Sequence, residues 1–516
     1  MRPIYSPSNG QVDSRDTRNS IDSVWTPART IDTHDLSNGG GIGSFPAHPL
    51  VVISNRLPVR IEKAGGTMRV LPGTGGLITA LAPLMDQHRG LWVGWPGSDE
   101  DVDVPHLLDE WSRQQQYDLA PLYLSPDEVA GYYHGFANQT IWPLFHDLLG
   151  RCTFDREHWR VYNSVNARFA ARAQEVLHDD DFVWIHDYQL MLVGHYLRRC
   201  GVEHRLGYFL HIPFPSSDLF RRLPWRRDIL LALLDYDLLG FQTGRDRRNF
   251  VRCVRELVTD AAVSVDGSHT IIRRDGRDVI VGKFPISIDF REFYDMAKSP
   301  EVAQAAELIR EQYKGRQLIL GVDRLDYTKG LAERLLALER ALEKYPELLG
   351  KVSLIQVVIP SRNDVPEYQK QRALVEGLAG RINGRFSRDG WVPVHYMYRT
   401  LDRASLVALY RACDIALITP LRDGMNLVAK EYCASSVDGN GVLILSEFAG
   451  AANQLGNRAI LVNPYDREGI ADAINSAFHM PIRHRQRRMR LMQAEIRRND
   501  VHRWLRWILD PQFAWQ

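Results

Sequence analysis

From Leu50 onward, short apolar runs alternate with longer segments whose apolar residues recur at helical spacing. Pro49-Leu50-Val51-Val52-Ile53 predicts a first strand, and residues 91–94, 182–185, 206–210 and 238–241 predict four more. A second series follows at 318–322, 354–359, 415–418, 442–445 and 460–462. Runs this short, largely unbroken by polar residues, suit parallel strands covered on both faces. The segments between them suit right-handed helical crossovers. In one of these, Leu331, Leu335, Leu338 and Leu342 share a face while charged residues fill the others. The pattern predicts two successive α/β units with a break near Lys283-Phe284-Pro285-Ile286-Ser287. Near the C-terminus, Met489, Met492 and Ile496 are spaced i, i+3, i+7, and Val501, Trp504, Leu505 and Ile508 repeat the pattern. The Arg-rich stretch 483–498 therefore reads as a docked amphipathic helix and not as a nucleic-acid patch.

In parallel sheets, ligands bind outside the carboxyl ends of the strands, so polar clusters with a chemical role belong just after the apolar runs. Several are found there: Ser54-Asn55-Arg56, His186-Asp187-Tyr188, His211-Ile212-Pro213-Phe214-Pro215, Asp323-Arg324-Leu325-Asp326-Tyr327-Thr328-Lys329-Gly330, Pro360-Ser361-Arg362 and Arg422-Asp423-Gly424-Met425-Asn426. Their number predicts two facing active rims. The acidic run Asp179-Asp180-Asp181 resembles a metal-binding DxD but precedes its strand, so it reads as a solvated loop on the opposite edge. No HxxxH, HExxH or Cys/His cluster has ligand spacing, and no metal or cofactor is expected.

Composition narrows the function classes. The chain has 516 residues, 45% hydrophobic and 25% charged, with 64 Lys+Arg against 63 Asp+Glu and a net charge of +1. Such a balance excludes a disordered or collagen-like chain and argues against a general polyanion binder. Small anionic ligands, which need only a few local cations, stay open. Five widely spaced cysteines without a CxxC point away from a disulfide framework or zinc site and toward a reducing cytoplasm. Residues 1–47 lack an apolar signal core and read as a disordered tail. No apolar run approaches the ~18 residues of a membrane span.

The segment from Arg422 to Tyr432 carries the most chemistry. A helix beginning near Asn426 would offer free N–H groups to a phosphate, and Glu431, about a turn further in, could accept hydrogen bonds from a ribose diol. Arg324 and Lys329, in one loop, could clamp a diphosphate leaving group without a metal. Taken alone, the spacing favours a plainer reading, in which Arg324 pairs with Asp326 while Lys329 faces solvent. Gly73-Thr74-Gly75-Gly76-Leu77 could bring backbone amides to a phosphate or be a plain turn. Arg56 and Arg362, at strand ends of different units, could converge on a second anionic group or be unrelated. Tyr132, Tyr133 and Trp142 could pack on a sugar face or belong to the core.

These segments together resemble the trehalose-6-phosphate synthase family, retaining glucosyltransferases of the GT-B fold. The likeness runs from about Val51 to about Trp507. The resemblance implies two Rossmann-like domains facing a cleft, with the C-terminal helix crossing back to the first. The expected division is a tail at 1–47, an acceptor domain at 48–285 completed by 485–516, and a nucleotide-sugar donor domain at 286–484. The implied reaction is UDP-glucose plus glucose 6-phosphate giving α,α-trehalose 6-phosphate and UDP, metal-independent and front-face. Carried over by residue, Arg324 and Lys329 meet the donor diphosphate, with Gly75 and Gly76 approaching it from the first domain. Gly424, Met425, Asn426, Leu427, Val428 and Glu431 line the nucleotide, Glu431 on the ribose, and Leu401 meets the uracil through backbone. Asp423 and His211 hold hydroxyls of the transferred glucose; with Arg324 and Lys329 they form the expected catalytic set. Arg56, Tyr133 and Arg362 bind the acceptor phosphate, and Trp142 and Asp187 place the acceptor sugar. Gln454 stands where relatives are expected to carry Glu.

The implied partners are the two small-molecule substrates, with no nucleic acid and no membrane. A homo-oligomer and functional pairing with a separate trehalose-6-phosphate phosphatase stay open. Two other readings compete: a glucosylglycerol-phosphate synthase-like transferase, and a catalytically silent nucleotide-sugar-binding regulatory subunit. The filled donor and acceptor positions argue against the second.

Overall fold

The computed structural model of the chain describes residues 50–64, 67–73, 75–97, 104–266, 269–361 and 366–509, so the tail expected at 1–47 and Arg362 lie outside the described residues. In chain order the strands are β1 (Leu50–Arg56), β2 (Val59–Ala64), β3 (Thr67–Pro72), β4 (Leu91–Trp95), β5 (Asp118–Pro121), β6 (Phe182–His186), β7 (Leu206–Leu210), β8 (Leu238–Phe241), β9 (Ala262–Asp266), β10 (His269–Arg274), β11 (Arg277–Lys283), β12 (Gln317–Arg324), β13 (Val352–Ile359), β14 (Val394–Tyr398), β15 (Ile415–Ile418), β16 (Val442–Ser446) and β17 (Ile460–Val462). One sheet has the order β5-β4-β1-β6-β7-β8-β11-β10-β9, a second β14-β13-β12-β15-β16-β17, and β2 pairs with β3 as a separate hairpin. The first sheet is parallel from β5 to β11 and ends in antiparallel β10 and β9. The second is parallel throughout.

Counted within each sheet, the first six strands follow the order 3-2-1-4-5-6 of a dinucleotide-binding sheet, which reverses direction beside its first strand. The reversals fall at β1/β6 and at β12/β15. Crevices at such points receive ligands, and the polar clusters that follow β1, β6, β12 and β15 lie beside them.

All the strands anticipated from apolar runs are present. Those the pattern missed are β5, β14, the β2–β3 hairpin and the β9–β11 group. Most are short or edge strands interrupted by polar residues, so they give no continuous apolar signal; β10 and β11 are interior strands whose apolar stretches, Ile271-Ile272 and Val279-Ile280-Val281, are short and flanked by charged residues. Several strands also run further than expected. Arg56, His186 and Arg324 are terminal strand residues, because pairing with neighbouring strands carries extended backbone past the last apolar position. The loop at 179–181 is not wholly solvated, either: Asp181 is buried, and its carboxylate accepts a 2.8 Å hydrogen bond from the His178 amide, closing the turn before β6.

Helices cover both sheets. In Leu331–Lys344 the four anticipated leucines are buried, and so is Arg334, whose guanidinium lies 2.7 Å from the Asp323 carboxylate and 3.1 Å from the Gln356 side chain. This pairing compensates two charges that would otherwise be costly to bury and fixes the end of β12. The helix Ile482–Arg498 buries Met489, Met492 and Ile496, and Gln493 donates to the carbonyls of Cys433 and Ser436 in the second half. A break at Asn499–Asp500 then starts the helix Val501–Leu509, which returns to the first sheet. There the Val501 amide donates to Ile288 O, the Trp504 indole N–H donates to Phe284 O, and the Trp504 ring packs on Trp184 and Phe209. Within the connecting segment, Ile286 O accepts a 2.7 Å hydrogen bond from Lys430 Nζ.

Candidate active site

The rim of the first sheet is built at the ends of β1, β4, β6 and β7. The β1–β4 register shifts between Ile53 and Arg56, an irregularity that re-aims a strand's last side chain. The Arg56 guanidinium lies 3.9 Å over the Trp95 ring, which meets Tyr133 edge-on at 6.3 Å. Gly97, at φ +92°, leaves room for this arrangement, since a Cβ there would collide with Arg56 Nη1. Tyr133 stands on a thirteen-residue π-helix, Val129–Ile141, a rare conformation found mostly at functional sites. The wide turn is tied to the rim. Tyr132 OH donates to Asn55 Oδ1 (3.0 Å), Asn138 Nδ2 to Tyr133 O (2.7 Å) and Tyr188 OH to Asn138 Oδ1 (2.9 Å). Trp142 is buried just beyond, its ring 4.3 Å from His146 and 5.5 Å from Tyr188.

Asp187 adopts φ +73°, a conformation that costs energy for a non-glycine residue and concentrates at active sites. Its carboxylate accepts the His211 amide at 3.1 Å. Burial pushes the Asp187 carboxyl up to about 6, against the pull of the Tyr188 and His211 amides and of the Arg324 charge reaching across from the other sheet. His211 Nε2 lies 3.1 Å from His186 Nδ1, and burial lowers both imidazoles, His211 to about 3, so each is neutral.

The rim of the second sheet follows β12 and β15. Arg324 ends β12 with its side chain exposed. Lys329 does not face solvent: its Nζ lies 2.6 Å from Asp423 Oδ2. Burial alone would raise the Asp423 carboxyl, but Lys329 and the Asn426 amide outweigh it and hold it below the ordinary carboxylate range. Asn426, at φ +79°, donates to Asp423 (3.1 Å) and caps the helix Leu427–Ser435 by accepting from Ala429 N (3.1 Å). That cap leaves the N–H groups of Leu427 and Val428 at the head of the helix without an intrahelical partner. Met425 is buried, and its carbonyl accepts from Ala451 N at 2.8 Å. The Glu431 carboxyl, raised by burial, accepts from Tyr410 OH at 2.8 Å. Leu401 lies half-buried just after β14.

The two rims touch. Gly75 caps the helix Gly76–His88, and a Cβ on Gly76 would come within 2.5 Å of Leu427 Cδ1, so a helix N-terminus from each half meets at one place. A Cβ on Gly424 would overlap the His211 carbonyl. Arg422 pairs with Asp147 and lies 3.5 Å from Phe214 O, while Arg151 stacks 4.7 Å over Tyr327.

The structure thus brings His211, Asp187, Arg324, Lys329, Asp423, Gly424, Asn426, Leu427 and Gly76 to one cleft, with Arg56, Tyr133 and Trp142 along its first rim. Sequence reasoning missed Trp95 under Arg56, Asn55 as the acceptor for Tyr132, His186 behind His211, and the Arg422–Asp147 pair. Trp95 and His186 sit at strand ends, where the rule used for the other clusters reaches them. Nothing in the spacing signals the π-helix or a pair separated by 275 positions. Among the described residues, no group of three or more His, Cys, Asp or Glu could hold a metal ion, and no helix is long and apolar enough to cross a membrane.

Comparison with known proteins places this geometry in context. The model of glycosyltransferase family 20 matches residues 48–511. A trehalose-6-phosphate synthase of Mycobacterium avium is 42% identical over 486 residues, covering 92% of this chain and 98% of that protein. The UDP-forming alpha,alpha-trehalose-phosphate synthase A of Dictyostelium discoideum is 40% identical over 88% of this chain, which spans 61% of that longer protein. Among solved structures, a UDP-forming alpha,alpha-trehalose-phosphate synthase from Burkholderia xenovorans in complex with glucose 6-phosphate superposes with a TM-score of 0.80 at 36% identity, covering 88% of this chain and 98% of that one. A structure from E. coli bound with UDP-2-fluoro glucose gives a TM-score of 0.80 at 38% identity, covering 90% and 98%.

Proposed function

The chain belongs to glycosyltransferase family 20, and from that membership we propose that it transfers glucose from UDP-glucose to glucose 6-phosphate, releasing UDP and α,α-trehalose 6-phosphate. The observation that carries the reading is the meeting of two helix N-termini, at Gly76 and Leu427, beside the Lys329–Asp423 pair. Backbone N–H groups and a cation aimed at one point form an anion site, suited to the diphosphate of a nucleotide sugar. The Arg56–Trp95–Tyr133 group on the opposite rim offers the separate cation needed by a sugar phosphate, to which Arg362 is assigned as a second.

The roles are those that membership of the family implies, and this placement supports them. Lys329 and Arg324 stabilise charge on the departing β-phosphate, with Gly75, Gly76 and the Leu427–Val428 amides cradling the diphosphate. Glu431 holds the ribose and Leu401 the uracil, while Asp423 and His211 hold hydroxyls of the transferred glucose. Asp187 and Trp142 position the acceptor. In the front-face reaction the C1–O bond to UDP breaks, the acceptor hydroxyl bonds to C1 on the same face, and its proton passes to the leaving phosphate oxygen. The charge of the leaving group is met by side-chain cations and helix N-termini, so transfer proceeds without added divalent ions. In this reading the chain divides into an acceptor half and a donor half near residue 285.

Product analysis with UDP-, ADP- and GDP-glucose, each with glucose 6-phosphate and separately with glycerol phosphate as acceptor, tests the proposal. Trehalose 6-phosphate made best from UDP-glucose, and undiminished by EDTA, is expected. Binding of UDP-glucose without turnover, or a glucosylated product only with a glycerol phosphate acceptor, would overturn it.

A further inference from the structure

His186 has no role in the scheme above, yet it is the residue against which His211 rests. Its side chain is completely buried at the end of β6, between Trp184 on one side (ring centroids 4.4 Å apart) and His211 on the other (5.3 Å). Trp504, from the returning C-terminal helix, backs the stack, with its ring 5.1 Å from Trp184 and 6.4 Å from His211. The two imidazoles share one short contact, His186 Nδ1 to His211 Nε2 at 3.1 Å. The other nitrogen of His186, Nε2, is buried with no hydrogen-bond partner among the described residues.

Both rings are neutral, so one proton lies between them, and two arrangements are possible. If His211 donated, His186 would carry its own proton on Nε2, leaving a buried N–H donor with nothing to meet. If His186 donates from Nδ1, its Nε2 is a bare lone pair. Orphaned buried N–H groups are rare, and under-satisfied acceptors less so. The second arrangement therefore holds, and it puts the His211 proton on Nδ1. We infer that His186 is a positioning residue that fixes His211 as the Nδ1–H tautomer, so that His211 meets its ligand as a hydrogen-bond donor and not as a base. This rests on the assignment of His211 to the transferred glucose. It deepens that assignment, because a donor at this point suits a sugar oxygen and takes His211 out of the set of groups that could receive the reaction's proton.

The tautomer can be read in the resting, full-length protein with ¹⁵N-labelled histidine. In a long-range ¹H–¹⁵N spectrum at neutral pH, the His211 signals are those lost in His211→Asn. A protonated Nδ1 and bare Nε2 are expected; a protonated Nε2 overturns the inference. Kinetics give a second reading. His186→Phe fills the space without a donor and should lower kcat about five- to tenfold, the loss of one hydrogen bond, with both KM values nearly unchanged. His186→Asn, whose amide nitrogen stands where Nδ1 stood, should recover most of that loss. An Asn variant no better than Phe, or a loss confined to KM, overturns the positioning role. If the chain transferred no glucose at all, the proposed function would fall, while the tautomer would still be decided by the spectrum of the wild-type protein.

Discussion

Lys329 Nζ lies 2.6 Å from Asp423 Oδ2, and each side chain keeps only 14% of its surface exposed. The two residues are 94 positions apart and follow different strands, β12 and β15. The pair holds an ammonium beside the head of the helix Leu427–Ser435 before any diphosphate arrives. It also keeps Asp423 ionised despite burial, as a carboxylate that accepts hydrogen bonds from sugar hydroxyls must be.

Lys329→Ala should therefore act on the chemical step. A kcat loss of about 10²–10³, the range for removing one preorganised donor from developing charge, is expected in steady-state assays. Asp423→Asn should also lower kcat, because it both releases Lys329 and weakens the sugar contact. Since the two act as a unit, the double variant should be little worse than the poorer single variant. Fully additive losses, or a Lys329→Ala effect confined to KM, would separate the two residues and remove the leaving-group role.

Gly97 offers a test of the acceptor site that leaves the donor side untouched. Its φ of +92° disfavours any other residue, and a Cβ would displace the Arg56 guanidinium from Trp95. Gly97→Ala should raise KM for glucose 6-phosphate toward the value of Arg56→Ala, a loss of about 1.5–3 kcal/mol for one charged hydrogen bond. KM for UDP-glucose should stay the same in both variants. Equal shifts for the two substrates would mean that the loop distorts the whole cleft.

Much of this site is legible in the sequence because parallel sheets put chemistry at strand ends. Apolar runs mark β1, β6, β7 and β12, and Arg56, Asp187, His211 and Arg324 stand at or just past their ends. The sequence is silent where position depends on partners far along the chain. The Arg422–Asp147 pair joins loops of different sheets, and the π-helix that carries Tyr133 is held by Asn55 and Tyr188, not by its own periodicity. Spacing alone points to a solvent-facing Lys329, and the structure overturns this, because Asp423 reaches it only once the loops after β12 and β15 are brought together.

The pH dependence of acceptor use should expose Asp187. Burial raises its carboxyl to about 6, so the ionised form that accepts from a sugar hydroxyl is lost as pH falls through that value. The phosphate of the acceptor takes up its own proton at about the same pH. Two protonations should then steepen the acidic limb of kcat/KM for glucose 6-phosphate. Asp187→Asn should lower activity and reduce the limb to the single protonation of the phosphate. A limb of unchanged steepness in the variant would assign the second protonation to a group other than Asp187.

Lys430 is buried, its Nζ donates to Ile286 O, and burial lowers its ammonium from 10.5 to about 7, with Glu495 opposing the shift only in part. A lysine whose folded value lies below its unfolded value binds fewer protons when folded, so stability rises with pH between the two values. The favourable change begins near pH 7 and continues toward the ordinary lysine value. Over the first two pH units it should amount to roughly 2 kcal/mol at most. Lys430→Met removes the titration and keeps the bulk, although it leaves Ile286 O without its donor. Chemical denaturation of both proteins at pH 7 and 9 gives the comparison: the stability difference between wild type and variant should widen in favour of wild type at the higher pH. A difference independent of pH would mean that Lys430 stays charged inside the fold, and the hydrogen bond to Ile286 would then be that of an ammonium.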